Sequence, residues 1–110
     1  MYNSALEFEQ GPFPLSGWNP PSRGAIYGIL MKREGGEYRI IYIGQSENLS
    51  VRGFENKRAY AHCLSEAGGL SNLYIAFHSM PSSVEDQRIQ ITHDLIRLRE
   101  PVCNLETTYS

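Results

Sequence analysis

Residues 25–52 constrain the fold more than any other stretch of the chain. Their sequence, AIYGILMKREGGEYRIIYIGQSENLSVR, contains two short apolar and aromatic runs separated by a Gly-Gly pair. The first run is apolar at nearly every position, which is typical of a strand buried on both faces. The second run is β-branched and aromatic, and glycine tolerates the positive φ angle of a tight turn. The stretch therefore predicts a β-hairpin, followed by a polar loop and a helix.

The segments around the hairpin predict the remaining elements. Residues 1–23 contain four prolines, which exclude a regular helix, so we expect an extended arm before a domain spanning residues 24–105. A helix is expected from about residue 49 to residue 66, and an alternating run over residues 71–79 predicts a third strand. The expected fold is α+β, a small single domain with a three-stranded antiparallel β-sheet flanked by helices.

The last helix is expected to begin at Ser82 or Ser83, either of which can cap its first free amides, and to end before Pro101. Residues at helical spacing predict the face that it turns inward, and Thr92 lies on the same face. The predicted inward residues are Val84, Arg88, Ile91, Leu95 and Leu98.

Composition and charge limit the classes of function. The 110 residues, 41% hydrophobic and 20% charged, fit one packed domain. A formal charge of −2 argues mildly against a broad nucleic-acid surface, which is usually basic, although a local basic face stays open as an alternative. No apolar run approaches the roughly 20 residues of a membrane helix, and the N-terminus lacks the apolar core of a secretory signal. We therefore expect a cytoplasmic protein in which Cys63 and Cys103 are reduced thiols.

Four groups of residues together resemble the GIY-YIG nuclease domain. They are Ala25-Ile26-Tyr27, Tyr42-Ile43-Gly44, Asn48-Leu49 with Arg52, and Leu95-Ile96 with Pro101 and Asn104. The two tripeptides fall on adjacent predicted strands, and the arginine follows them at helical spacing. The resemblance covers roughly residues 24–105, with Ala25 in place of the first glycine of the signature. It implies an endonuclease that hydrolyses DNA phosphodiester bonds with the help of Mg²⁺.

The resemblance also implies roles for single residues. Tyr27 matches the tyrosine beside the attacking water, and Tyr42 matches the tyrosine that positions water or phosphate. Arg52 matches the catalytic arginine that binds the scissile phosphate, and Lys57 is a second candidate for phosphate contact. Asn104 matches an asparagine that supports the site. A guanidinium suits this chemistry because it can meet two oxygens of a phosphoryl group as negative charge develops on them.

One position departs from the family. The metal ligand there is a glutamate three residues before the Leu-Ile pair, and the count back from Leu95 leads to Thr92. A neutral hydroxyl is a poor substitute, because Mg²⁺ prefers carboxylate oxygen. Glu85 lies about 10 Å away along the helix axis and Asp94 points about 200° away, so neither replaces it.

Two functions therefore stay open. One is a Mg²⁺-dependent endonuclease of DNA, and the other is a catalytically inactive GIY-YIG-like module that binds nucleic acid or a protein partner. A homodimer is also left open. The choice between the endonuclease and the inactive module depends on Thr92.

Overall fold

A computed structural model describes residues 8–51 and 58–104 of the chain. The elements are β1 (Gln10–Pro14), β2 (Ala25–Lys32), β3 (Tyr38–Ser46), α1 (Arg58–Ala67), β4 (Leu73–Ser79) and α2 (Glu85–Arg99). Short 3-10 turns at Leu49–Val51 and Leu70–Asn72 follow β3 and precede β4. Within the described residues, the four strands form one antiparallel sheet in the order β1-β4-β2-β3. The predicted α+β class is confirmed.

The predicted hairpin is formed by β2 and β3. Its turn is closed by the Arg33 amide, which donates a hydrogen bond to the Glu37 carbonyl at 2.8 Å. Gly36 has a φ angle of 93°, a conformation that a side chain would strain. The Gly-Gly pair therefore serves the turn, as the sequence predicts.

β2 is the central strand of the sheet. It pairs with β3 along one edge and with β4 along the other. Its residues from Ala25 to Leu30 are all buried, and the Ile29 side chain is fully inaccessible to solvent. Full burial of such a side chain contributes about 2 kcal/mol to stability. The unbroken apolar run of the sequence is thus explained by cover on both faces.

The sheet has four strands, and the expectation of three was wrong. The additional strand, β1, comes from the proline-rich arm and pairs with β4 at the edge of the sheet. Prolines are tolerated there because an edge strand has one row of amides without a partner, so Pro12 and Pro14 need not donate. The Trp18 ring lies 5.6 Å from that of Phe77 and fixes the arm to the sheet.

The division of the chain into an arm, residues 1–23, and a domain, residues 24–105, stays a prediction.

The two faces of the sheet carry different cores. Tyr27 and Ile29 point to the face that packs with α1 residues such as Cys63. Ile26 points to the opposite face, because side chains alternate along a strand. There it packs with Leu95 and Ile96 of α2. The α2 helix and the Tyr27 ring therefore lie on opposite faces.

The inward face of α2 differs from the predicted one. Its buried residues are Arg88, Thr92, Leu95 and Ile96. Val84 and Leu98, predicted to face inward, are 60% and 55% exposed. Arg88, Thr92 and Leu95 face inward as predicted, but the helix is rotated enough to leave Ile91 38% exposed.

The start of α2 also differs from the prediction. The helix begins at Glu85, and the residue before it, Val84, donates its amide hydrogen to Gln87 Oε1 at 3.0 Å. Ser83 does not cap the helix, because its hydroxyl donates to the Met80 carbonyl at 2.6 Å. The predicted end before Pro101 is confirmed, since the last helical residue is Arg99.

The predicted first helix lies only partly within the described residues. The 3-10 turn at Leu49–Val51 and α1, which begins at Arg58, are consistent with helical structure there. Arg52 and Lys57, the predicted phosphate-binding residues, lie outside the described residues, as does Leu105.

Neither described helix has the length and apolar character that crossing a membrane requires. The longer of the two, α2, has 15 residues, against the roughly 20 that a bilayer core demands.

The outer edge of β3 is covered by the C-terminal segment. The Asn104 side chain accepts a hydrogen bond from the Ile43 amide at 2.8 Å and donates one to the Ile43 carbonyl at 2.9 Å. The Cys103 amide donates to the Ile41 carbonyl at 2.7 Å. The asparagine therefore pairs with the strand between Tyr42 and Gly44 as a neighbouring strand would.

We expect Asn104→Asp to lower the free energy of unfolding by about 1–3 kcal/mol. The aspartate still accepts from the Ile43 amide, but it sets a carboxylate oxygen against the Ile43 carbonyl. Urea denaturation at neutral pH measures the change, with Asn19→Asp at an exposed position as the control. An equal stability of the two variants would contradict this role.

Cys63 and Cys103 are both fully buried free thiols, brought together from α1 and the C-terminal segment. Burial raises the pKa of the Cys63 thiol above its ordinary value, and a hydrogen bond with Cys103 raises it further. Burial also raises the pKa of Cys103. The expected reduced state agrees with this arrangement, because the native structure favours the protonated form of both groups.

These raised pKa values predict an alkaline loss of stability. Unfolded thiols ionise near pH 8.5, so above that pH the native state holds protons that the unfolded state has lost. Between pH 7.5 and pH 9.5 the free energy of unfolding should fall by roughly 1 kcal/mol for Cys63, and Cys103 should lower it in the same direction. Urea denaturation across this range should give a shallower slope for Cys63→Ala than for the parent and for the control Ser65→Ala. A slope unchanged by Cys63→Ala would refute the prediction.

Candidate functional site

The structure brings Tyr27 and Tyr42 together on one face of the sheet. Tyr27 lies opposite Gly44, and Tyr42 lies opposite Ile29, two residues further along β2. The two ring centroids are 6.2 Å apart with an angle of 39° between the ring planes. Tyr27 is only 1% exposed, whereas Tyr42 is half-buried. The tyrosines predicted to share a site are therefore neighbours, and Tyr42 is the more accessible of the two.

Gly44 makes room for the Tyr27 ring. A Cβ atom at Gly44 would lie 2.7 Å from the Tyr27 hydroxyl oxygen and 2.8 Å from Cζ. The strand does not turn at this glycine, because β3 continues to Ser46. The last residue of the Tyr42-Ile43-Gly44 tripeptide is thus required by contact with the other tyrosine, a reason that the sequence alone does not reveal.

Asn104 holds the strand that carries Tyr42 and Gly44. Its two hydrogen bonds to Ile43 fix the backbone of the residue between them. The side chain acts on the site through the β3 backbone, which is how a supporting residue would act.

Thr92 is buried in α2. The residue is 6% exposed, and within the described part of the chain its Oγ1 atom has no hydrogen-bond partner. Because α2 packs on the face of Ile26, its position is on the opposite side of the sheet from the Tyr27 ring. The structure therefore does not place Thr92 and Tyr27 on a common face.

The donor set around Thr92 does not fit a divalent cation. A hard cation prefers several oxygen ligands, carboxylates above all. Residues 8–51 and 58–104 contain no group of three His, Cys, Asp or Glu side chains placed to hold a metal. Asp94 is exposed and paired with Arg97 at 2.7 Å, and Glu85 is exposed in the first turn of α2. Neither acid compensates for the hydroxyl at position 92.

Arg88 is the functional candidate that the sequence did not single out. Its side chain is 3% exposed and donates to Gln45 Oε1 at 2.9 Å, to the Ser83 carbonyl at 3.0 Å and to Ser83 Oγ at 2.8 Å. Gln45 directly follows the Tyr42-Ile43-Gly44 tripeptide. The available signal was a charged residue on a helix face that otherwise faces inward.

Arg52 lies outside the described residues, which end at residue 51 on this side of the gap. Leu49 is fully buried, and its amide donates to the Arg23 carbonyl at 2.9 Å. This bond holds the chain beside the start of β2 shortly before Arg52.

Neither a protein-family model nor a curated protein matches the chain. Solved structures to which it is similar include point mutants of the GIY-YIG N-terminal endonuclease domain of UvrC from Thermotoga maritima, bound to its catalytic divalent cation. Two of these share 22% and 20% sequence identity with the chain. Each alignment covers 79% of this chain and 88% of that one, with a TM-score of 0.49.

The contact between Gly44 and Tyr27 predicts the effect of a methyl group. Gly44→Ala should destabilise the protein by about 1–3 kcal/mol, because the added methyl group would collide with a buried ring that must shift to admit it. In a Tyr27→Leu background the same change should cost less, since the colliding atoms are removed. Urea denaturation of the four proteins in this double-mutant cycle measures the difference. Equal costs in both backgrounds would show that the ring is not what Gly44 accommodates.

Proposed function

We propose that the chain is a GIY-YIG-type module that binds the phosphate backbone of DNA and, with Thr92 in place, does not hydrolyse it. The observation that carries the proposal is the buried hydroxyl of Thr92, which has no hydrogen-bond partner among the described residues, at the position where the resemblance implies an anionic metal ligand. Loss of the carboxylate removes the metal site and leaves the cationic side chains that contact phosphate.

Binding would depend on Arg52 and Lys57. A guanidinium forms two parallel hydrogen bonds to a phosphate, whereas an ammonium contributes a point charge. Each neutralised phosphate releases condensed counterions, so the logarithm of affinity falls with the logarithm of salt by about 0.9 per contact. Tyr42, half-buried beside Tyr27, would present a hydroxyl group to the bound backbone.

A Mg²⁺-dependent endonuclease is the second candidate. It is favoured by the preserved Tyr27–Tyr42 pair and by the hold of Asn104 on the strand between Tyr42 and Gly44. In that case Tyr27 and Tyr42 would orient water and phosphate, and Arg52 would stabilise the charge that develops on the phosphoryl oxygens. A bound divalent cation would polarise the phosphate.

Thr92→Glu and its neutral match Thr92→Gln separate the two candidates. With supercoiled plasmid and Mg²⁺ or Mn²⁺, we expect no nicking by the parent or by Thr92→Gln. Metal-dependent nicking by Thr92→Glu, with a melting temperature that divalent metal raises in this variant alone, would show that the site lacks only its metal ligand. Circular dichroism confirms that both variants are folded.

DNA binding is measured separately, by fluorescence anisotropy of a labelled duplex in EDTA. The parent should bind with an affinity that falls with salt, and Arg52→Ala should reduce the salt slope by about 1. Arg33→Ala, at the exposed hairpin turn, is the matched control. Nicking by the parent that Arg52→Ala abolishes would overturn the proposal in favour of the nuclease. Absence of salt-dependent binding would exclude the DNA-binding function.

A further inference from the structure

A cleft of about 420 Å³ opens at one end of the sheet, beside the start of α2. Its lining includes Gly24 before β2, Glu47 after β3, Ser83 after β4, and Glu85 and Arg88 of α2. The cleft thus lies where three strands begin or end, away from the hairpin turn that joins β2 to β3. Arg88 is the only cation that lines it within the described residues.

The Arg88 guanidinium is a buried charge whose hydrogen-bond partners are all neutral. A buried charge is costly unless it is paired. Its three acceptors are the Gln45 amide oxygen and the carbonyl and hydroxyl oxygens of Ser83. Among the described residues no carboxylate forms an ion pair with it. Among the same residues the Nη2 group of Arg88 also has no hydrogen-bond acceptor, so its two N–H groups are available to a ligand.

The surroundings hold the guanidinium in one orientation. The Ser83 hydroxyl donates to the Met80 carbonyl, so it must accept from Arg88 Nη1, as the 2.8 Å contact shows. Gln45 fixes Nε in the same way. Gly24, which also lines the cleft, lies beside the same nitrogen, since a Cβ atom built there would be 3.4 Å from Nη1.

The missing counter-charge is connected with Thr92. Residues 88 and 92 are one helical turn apart and both are buried, and this is the spacing at which two helix side chains can pair. Thr92 offers only a neutral hydroxyl. An anion from outside the chain can therefore take the place that an internal carboxylate would hold.

We propose that this cleft binds a phosphate group through Arg88. The Nη2 donors face a phosphate oxygen, and the free amides at the start of α2 add donors that favour an anion. Glu47 and Glu85 oppose the anion, but both are exposed, so water and salt weaken their repulsion. The proposal concerns the phosphate group itself. It does not depend on DNA binding or on a phosphate contact by Arg52.

The test is a titration of the full-length chain with inorganic phosphate, followed by ¹⁵N–¹H NMR with sodium chloride at equal ionic strength as the reference. We expect saturable shifts of the amides of residues 83–88 and of the Arg88 Nε–H signal. Glu85→Gln should tighten binding about threefold, because it removes a negative charge from the lining of the cleft. Glu34→Gln, an exposed acid at the opposite end of the sheet, should leave the affinity unchanged.

A second pair of variants keeps Arg88 itself intact, since replacing a buried, hydrogen-bonded arginine would test folding as well as binding. Thr92→Glu should weaken phosphate binding at least tenfold by pairing with Arg88, and Thr92→Gln should not. Shifts that do not saturate, or binding that Glu85→Gln weakens, would overturn the proposal. The latter result would identify a site for cations.

The binding of two oligonucleotides distinguishes the possible sources of the phosphate group. A single strand with a 5′-phosphate that binds more tightly than its 5′-hydroxyl counterpart identifies a terminal phosphate of nucleic acid as the ligand. Equal binding of both, competed by inorganic phosphate, identifies the phosphodiester backbone. Binding of inorganic phosphate with neither oligonucleotide identifies a small free anion. Failure of DNA binding with retained phosphate binding would refute only the DNA-binding function.

Discussion

The central position of β2 is the constraint on which the rest of the molecule depends. The strand is hydrogen-bonded along both edges and covered on both faces, so its register cannot shift without exposing a core. That register fixes Tyr27 against Gly44 and, on the other face, Ile26 against α2. A difference of one residue along β2 therefore separates the two tyrosines from the helix that carries Thr92.

The two outer edges of the sheet are protected in different ways, and one of them serves the candidate site. β1 carries prolines, which limit further strand pairing at that edge. β3 is covered by the segment that follows α2, through Cys103 and Asn104. The same hydrogen bonds that satisfy the edge also hold the backbone between Tyr42 and Gly44. The hydrogen bonds that cover the edge of β3 therefore also support the candidate site.

The inner face of α2 contains two polar residues whose chemistry is linked. Arg88 is charged, hydrogen-bonded to neutral groups and open to a cleft, while Thr92 is neutral and has no partner among the described residues. One helical turn separates them, so the identity of residue 92 decides whether the guanidinium has an internal counter-charge.

Much of the fold could be predicted from local patterns. The hairpin, the central strand, β4 and the end of α2 before Pro101 follow from apolar runs, alternation and proline, which act through the backbone nearby. The fourth strand could not be predicted, because its partner lies some sixty residues away and its prolines argue against a strand except at an edge. The rotation of α2 was missed for a similar reason, since Val84 and Leu98 suit a buried face until the sheet selects another.

The sequence by itself determined the candidate site residues: two tyrosines on adjacent strands, an asparagine near the C-terminus, and a threonine where the resemblance implies an acid. These depend on spacing along elements whose geometry is local. Only the tertiary structure decided that the Tyr27 ring occupies the space left by the missing side chain of Gly44. It likewise decided that Asn104 acts through the Ile43 backbone. Finally, it showed that Arg88 is a buried charge without a counter-ion among the described residues. Each of these is a contact between segments distant in the chain, and burial, which gives such contacts their energy, arises only when those segments pack together.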